Sequence, residues 1–101
     1  MTVGTGVISG ASVAHERATV DDLETASVDS QRAAVERLRS VPAVEEAYVL
    51  QTCNRVEAYV VTGSEADGRA ALDVFFESVA DRVVTDLGHE ESLRHLMRVA
   101  A

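Results

Sequence analysis

Apolar residues in this chain fall either in short continuous runs or at helical spacing, and the switches between the two patterns mark out the elements. Val7-Ile8-Ser9-Gly10-Ala11-Ser12-Val13 is a short apolar run among small residues, which predicts a buried strand. Thr19-Val20-Asp21-Asp22 offers a hydroxyl cap followed by acids in the first turn, where backbone N–H groups lack partners, and so predicts a helix start. A second helix is predicted from Asp29 or Ser30 to about Ser40, with Ala34, Val35 and Leu38 on one side and Pro42 closing it. Glu46–Gln51 and Val56–Val61 are rich in strand formers and only Thr52-Cys53-Asn54-Arg55 separates them, so they should pair as an antiparallel hairpin. Asn54 suits the turn because asparagine tolerates left-handed backbone angles. After Gly63, Ser64 can cap a helix with Asp67 three residues on, and Leu72, Phe75, Phe76 and Val79 recur at i, i+3, i+4 and i+7. Arg82–Leu87 predicts a short strand ending at Gly88, and a last helix runs from His89 or Glu90 with Leu93, Leu96, Met97 and Ala100 as its apolar stripe.

Strand, helices, hairpin, long helix, strand is the βαββαβ order of an α+β, ferredoxin-like sandwich, one sheet covered on one face by helices. A further C-terminal helix is cut off by the chain end without a stop signal, so residues 1–101 are expected to form a single domain of something longer. Composition agrees with a folded domain: 101 residues, 47% apolar, can bury a core without staples, which excludes intrinsic disorder. The single cysteine cannot form an intramolecular disulfide, favouring a reducing compartment. No run approaches the about 18 apolar residues of a membrane span, and no basic region precedes the first apolar stretch as in a secretory signal. A cytoplasmic protein is expected. Charge complicates the picture, since 17 acids face 9 bases, all arginine, for a net charge of -8. Taken alone, that balance argues against a phosphate-binding surface and an RNA partner. It equally suits a protein kept soluble in concentrated salt, where screening within ~3 Å leaves little repulsion from RNA.

Cys53 lies in the hairpin turn. Lone cysteines commonly act as buried apolar fillers. An accessible thiol two residues from Arg55 would instead have its thiolate, the nucleophilic form, favoured. Arg55 could also pair with Glu57, which would blunt that effect. None of His15, His89 and His95 stands at metal-ligand spacing with another or with Cys53, so no metal site is expected. At about 100° per residue, or 3.6 residues per turn, His95 falls nearly opposite the terminal helix's apolar stripe. It is either a solvated residue or an imidazole turned toward the hairpin turn as an acid/base or orienting group. Gly4-Thr5-Gly6 is no dinucleotide fingerprint, because Ser9 takes the third glycine's place and no strand precedes it. The residues thus leave open an enzyme fragment, a ferredoxin-like binding or regulatory module with an inert cysteine, and a small thiol-dependent redox domain.

Val49-Leu50-Gln51-Thr52-Cys53-Asn54-Arg55-Val56-Glu57-Ala58-Tyr59 closely resembles the S/T-T-C-N-R-x-E-x-Y signature of the glutamyl-tRNA reductase family. His95-Leu96-Met97-Arg98-Val99-Ala100-Ala101 resembles its H-L-F-R-V-A-S/A block, and Gly10 through Glu24 its G-L-N-H-K-T-A-P-V-x-x-R-E segment. In the latter, His15-Glu16-Arg17-Ala18-Thr19-Val20 fits only with a two-residue insertion, and Arg17 replaces the family threonine. The resemblance implies the N-terminal part of a catalytic domain, with NADPH-binding and dimerisation domains outside this chain. It also implies that Cys53 attacks the ester of glutamyl-tRNA to form a glutamyl thioester, which NADPH reduces to glutamate-1-semialdehyde for tetrapyrrole synthesis. By the same analogy Thr52 and Arg55 hold the glutamyl group, with Arg55 suited to its γ-carboxylate. Asn54 shapes the turn or donates to substrate, and Glu57 orients Arg55 or accepts from the α-ammonium. His95 polarises or handles a proton near the thiol. A homodimeric full-length enzyme, a downstream aminomutase and, from the lysine-free acidity, a halophilic archaeal source complete the expectation.

Overall fold

In the computed structural model, residues 6–16 and 18–100 are described, without the side chains of 99 and 100. The expectations for Gly4, Thr5, Arg17 and Ala101 fall outside that description. Strand β1 (Val7–Ala14) is followed by helices α1 (Val20–Ala26) and α2 (Gln31–Arg39), then by the hairpin of β2 (Glu46–Gln51) and β3 (Arg55–Thr62). Helix α3 (Glu65–Phe75), strand β4 (Val84–Leu87) and helix α4 (His89–Ala100) complete the chain. The strands form one sheet in the order β2-β3-β1-β4, every neighbour antiparallel, which is the expected ferredoxin-like arrangement.

The helix starts follow the caps read from the sequence. Thr19 and Asp22 form a reciprocal capping box, Ser30 Oγ accepts from Ala33 N–H, and Ser64 Oγ accepts from Asp67 N–H. Helix α3 stops at Phe75 rather than running through Val79. Phe76 and Val79 still reach the core, from a turn closed by Val79 N–H donating to Phe76 C=O. The predicted strand at 82–87 is shortened, its first residues forming a 3₁₀ turn (Asp81–Val83) before β4.

Alternation along β1 and β3 separates two environments. Ala11, Val13, Val56, Ala58 and Val60 belong to one apolar cluster with Ala34 and Leu38 of α2 and Ala71 and Leu72 of α3. On the opposite face, Ser12 is in register with Glu57, and Gly10 with Tyr59. That face is not left open as the sequence suggested, because α4 lies over it. A Cβ on Gly10 would sit 2.8 Å from Ser92 Oγ and 2.7 Å from the Tyr59 ring, so only glycine allows this approach. Ile8 N–H donates to His89 Nδ1 at 3.0 Å and ties the start of α4 to β1.

Of the stripe expected along helix α4, Leu96 is half-buried and Leu93 and Met97 are exposed, at 38% and 70%, while Ser92 is fully buried and His95 half-buried. The physical reason lies beneath the helix: the sheet surface there carries Gly10, Ser12 and Glu57, and Ser92 and His95 meet it where large apolar side chains would strand a carboxylate.

Candidate functional site

The β2–β3 turn is anchored on three sides. Thr52 N–H donates to Arg55 C=O at 2.9 Å, closing the hairpin, and Asn54 N–H donates to Thr52 Oγ1 at 3.3 Å. His15 N–H donates to Asn54 C=O at 2.9 Å, fastening the end of β1 to the turn. Gln51 holds the other side: its amide oxygen accepts from Val28 N–H at 2.8 Å and its amide nitrogen donates to Val28 C=O at 3.2 Å. With its neighbours fixed and its own thiol free and exposed, Cys53 stands at a cleft of about 600 Å³ whose walls include His15, Val20, Leu23, Glu24 and Asn54. A buried filler would be enclosed by apolar side chains, and Cys53 is not.

Behind the turn, on the face under α4, lies a carboxylate held by three donors. Glu57 is 1% exposed, the one buried acid of the chain's 17. Its Oε1 accepts from the Tyr59 hydroxyl at 2.6 Å; its Oε2 accepts from Arg55 Nη1 at 2.9 Å and, at 3.5 Å, from Ser12 Oγ. His95 Nδ1 lies 3.9 Å from the same Oε2. Desolvation forbids a lone charge there, and the three donors offset it. Arg55, partly exposed, has a second acidic neighbour: its Nη2 lies 3.8 Å from the exposed carboxylate of Glu16. Burial first, and then the hydrogen bond to Glu57, hold the Tyr59 hydroxyl protonated far above the ordinary tyrosine range.

Six residues singled out from the sequence thus fall into two adjoining groups. Thr52, Cys53 and Asn54 form the exposed turn, while Arg55, Glu57 and His95 form a charged cluster behind it. His95 is neither solvated nor, in its closest ionic contact, paired with the thiol; it faces Glu57. The alternative that Arg55 pairs with Glu57 holds. Glu57, buried and holding Arg55, stands in the orienting position that was one of the two roles expected of it. Ser12, Tyr59 and His15 were not singled out for these positions. The signal for the first two was available once the hairpin was placed, since Tyr59 shares a face with Glu57 by alternation and Ser12 is its register partner across β1. Among the described residues, no three His, Cys, Asp or Glu side chains gather as metal ligands, and no helix is long and apolar enough to cross a membrane.

Residues 11–101 match the family model described as glutamyl-tRNAGlu reductase, N-terminal domain. The chain is 61% identical over 97 residues to a glutamyl-tRNA reductase of Haloarcula marismortui, covering 96% of this chain and 22% of that protein. It is 54% identical over 101 residues to the same-named protein of Halobacterium salinarum, covering 100% and 23%. Among solved structures, the glutamyl-tRNA reductase from Methanopyrus kandleri superposes with a TM-score of 0.69 at 28% identity, over 92% of this chain and 22% of that one. The chain therefore spans under a quarter of the length of these relatives.

Proposed function

The chain belongs to the glutamyl-tRNA reductase N-terminal domain family, and from that premise we propose that it is the acyl-accepting part of an enzyme that reduces glutamyl-tRNA to glutamate-1-semialdehyde for tetrapyrrole synthesis. The observation that carries this reading is the exposed Cys53 thiol in the hairpin turn, two residues before Arg55, whose guanidinium is fixed by a buried carboxylate. The Cys53 thiolate attacks the carbonyl carbon of the aminoacyl ester, a C–S bond forms, the ester C–O bond breaks, and the departing ribose oxygen takes a proton as tRNA leaves. Thr52 and Asn54 shape the turn around the acyl group. Arg55, with one edge committed to Glu57, offers its remaining donors to the γ-carboxylate of the glutamyl group. His95, close to Glu57, handles or polarises the proton at this site.

The reductant expected with the family is NADPH, and the described residues do not fit it. A pyrophosphate cradle needs a glycine-rich turn from strand into helix. Here the turns entering α3 and α4 each carry one glycine, Gly63 and Gly88, and Gly68 within α3 is closed against Ser9 and Thr62. We therefore place NADPH outside residues 1–101, and assign these residues only acyl transfer. A homodimeric, cytoplasmic enzyme delivering its semialdehyde to an aminomutase is the corresponding proposal for the whole protein.

In the full-length protein, Cys53→Ser should abolish both NADPH-dependent reduction and the NADPH-independent hydrolysis of the glutamyl ester. Turnover retained by that variant would remove the assignment and favour an inert-cysteine binding module.

A further inference from the structure

The Glu57 carboxylate is held on both oxygens, and the two holders other than Arg55 have no role in the acyl transfer proposed above. Tyr59 donates to Oε1 at 2.6 Å, and Ser12 reaches Oε2 at 3.5 Å beside Arg55 Nη1 at 2.9 Å. The tyrosine ring is fixed in turn. It lies 2% exposed beneath α4, over the space left by Gly10, where a Cβ would meet ring carbons Cδ1 and Cε1 at 2.7 and 2.8 Å. The chain of contact runs from a backbone gap in β1, through a phenol, to a carboxylate, to the partly exposed guanidinium of Arg55, two residues from Cys53.

We infer that Tyr59, with Ser12, is a positioning residue that sets the selectivity of Arg55 for an acyl group bearing a carboxylate. The inference rests on the reading of Arg55 given above and deepens it. A carboxylate gripped at one oxygen by a buried phenol has a fixed plane, so the guanidinium bound to its other oxygen has a fixed direction. Freed from that grip, Glu57 can rotate, and Arg55 can turn to its second partner, Glu16, 3.8 Å from Nη2. Arg55 would then meet the substrate carboxylate in several geometries, and bidentate recognition requires one. Selectivity, rather than thiol chemistry, is what the loss would touch.

The test compares glutamyl-tRNA with mischarged glutaminyl-tRNA, which has an amide where the carboxylate stands, by single-turnover acylation of Cys53 in the full-length protein. Tyr59→Phe keeps the ring and removes only the hydroxyl. The expected result is a fall in kcat/KM for the glutamyl ester of roughly tenfold, in the range for losing a hydrogen bond to a charged group, with the glutaminyl ester nearly unaffected. In an Arg55→Lys background, Tyr59→Phe should change the ratio no further. Equal losses on both esters would make Tyr59 a structural residue only and overturn the inference, as would an unchanged ratio. Should Tyr59→Phe fail to fold, Ser12→Ala carries the same comparison in the same direction, and an unaltered ratio there overturns the inference. Wild-type protein that showed no preference between the esters would instead overturn the Arg55 assignment beneath it.

Discussion

Glu57 illustrates what a single position can mean when its neighbours are known. In the sequence it was an acid two residues from an arginine, with either a structural or a substrate-binding role. In the structure it is 1% exposed and engaged by three donors, Arg55 among them. Cys53 and Arg55 were legible because motif and turn chemistry are local, whereas Ser12 enters the site from 45 residues away through strand register. The same cluster has a consequence for alkaline stability. Tyr59 stays protonated in the folded protein well above its ordinary value of 10.0, because burial and Glu57 disfavour the phenolate. Below that value both folded and unfolded chains hold the proton, so the contribution is complete. As pH rises past about 10, the unfolded chain releases its proton and the folded one does not, so stability should fall by about 1.4 kcal/mol per pH unit for this group. Urea unfolding between pH 9 and 11, about one unit either side of the ordinary tyrosine value, should show this loss in wild type and a shallower one in Tyr59→Phe. Parallel curves would mean that the phenol titrates freely.

At the level of elements, most of the fold was legible from periodicity and caps, and the departures occur where one helix meets an unusual surface. The hairpin, the capped starts of α1, α2 and α3, and the βαββαβ order rest on local chemistry that a linear sequence displays. The orientation of α4 does not, because which face turns inward depends on the polar sheet surface assembled from β1 and β3. Helix α3 carries a related conflict at Gly68, buried in mid-helix. Propensity alone says that alanine there should stabilise by up to about 1 kcal/mol. Packing says otherwise, since a Cβ would sit 2.9 Å from the Ser9 Cβ and also against its Oγ, atoms fixed to strand β1. Overpacking of this kind costs about 1–3 kcal/mol, and we expect it to win. Gly68→Ala should therefore lower the urea midpoint, and Gly68→Val should lower it further. A rise with alanine would show that α3 can move away from the sheet without penalty.

Over the whole molecule, the acidic balance bears on stability and on the proposed RNA substrate at once. The net charge is -8 without lysine, and outside Glu57 the acids are distributed over the surface, including the adjacent exposed pairs Glu45/Glu46 and Glu90/Glu91. Glu46 opens the edge strand β2, where a charge also guards against pairing with another chain. Like charges at this density oppose the compact state over a screening length of about 10 Å at 0.1 M salt, and only about 3 Å at 1 M. The similarity to proteins of Haloarcula marismortui and Halobacterium salinarum is consistent with a protein balanced for the second condition. Under it, repulsion from tRNA phosphates would also be short-ranged, leaving recognition to the glutamyl group and the shape of the tRNA end rather than to phosphate attraction. Two outcomes follow from screening specifically. The unfolding midpoint should rise by several degrees as NaCl increases from dilute buffer to molar concentration. Replacing Glu45, Glu46, Glu90 and Glu91 with glutamine should raise the midpoint in dilute buffer and flatten that response. A quadruple variant that tracks wild type at every salt concentration would show that self-repulsion is not what salt relieves, and a wild-type protein fully stable in dilute buffer would remove the case for salt adaptation altogether.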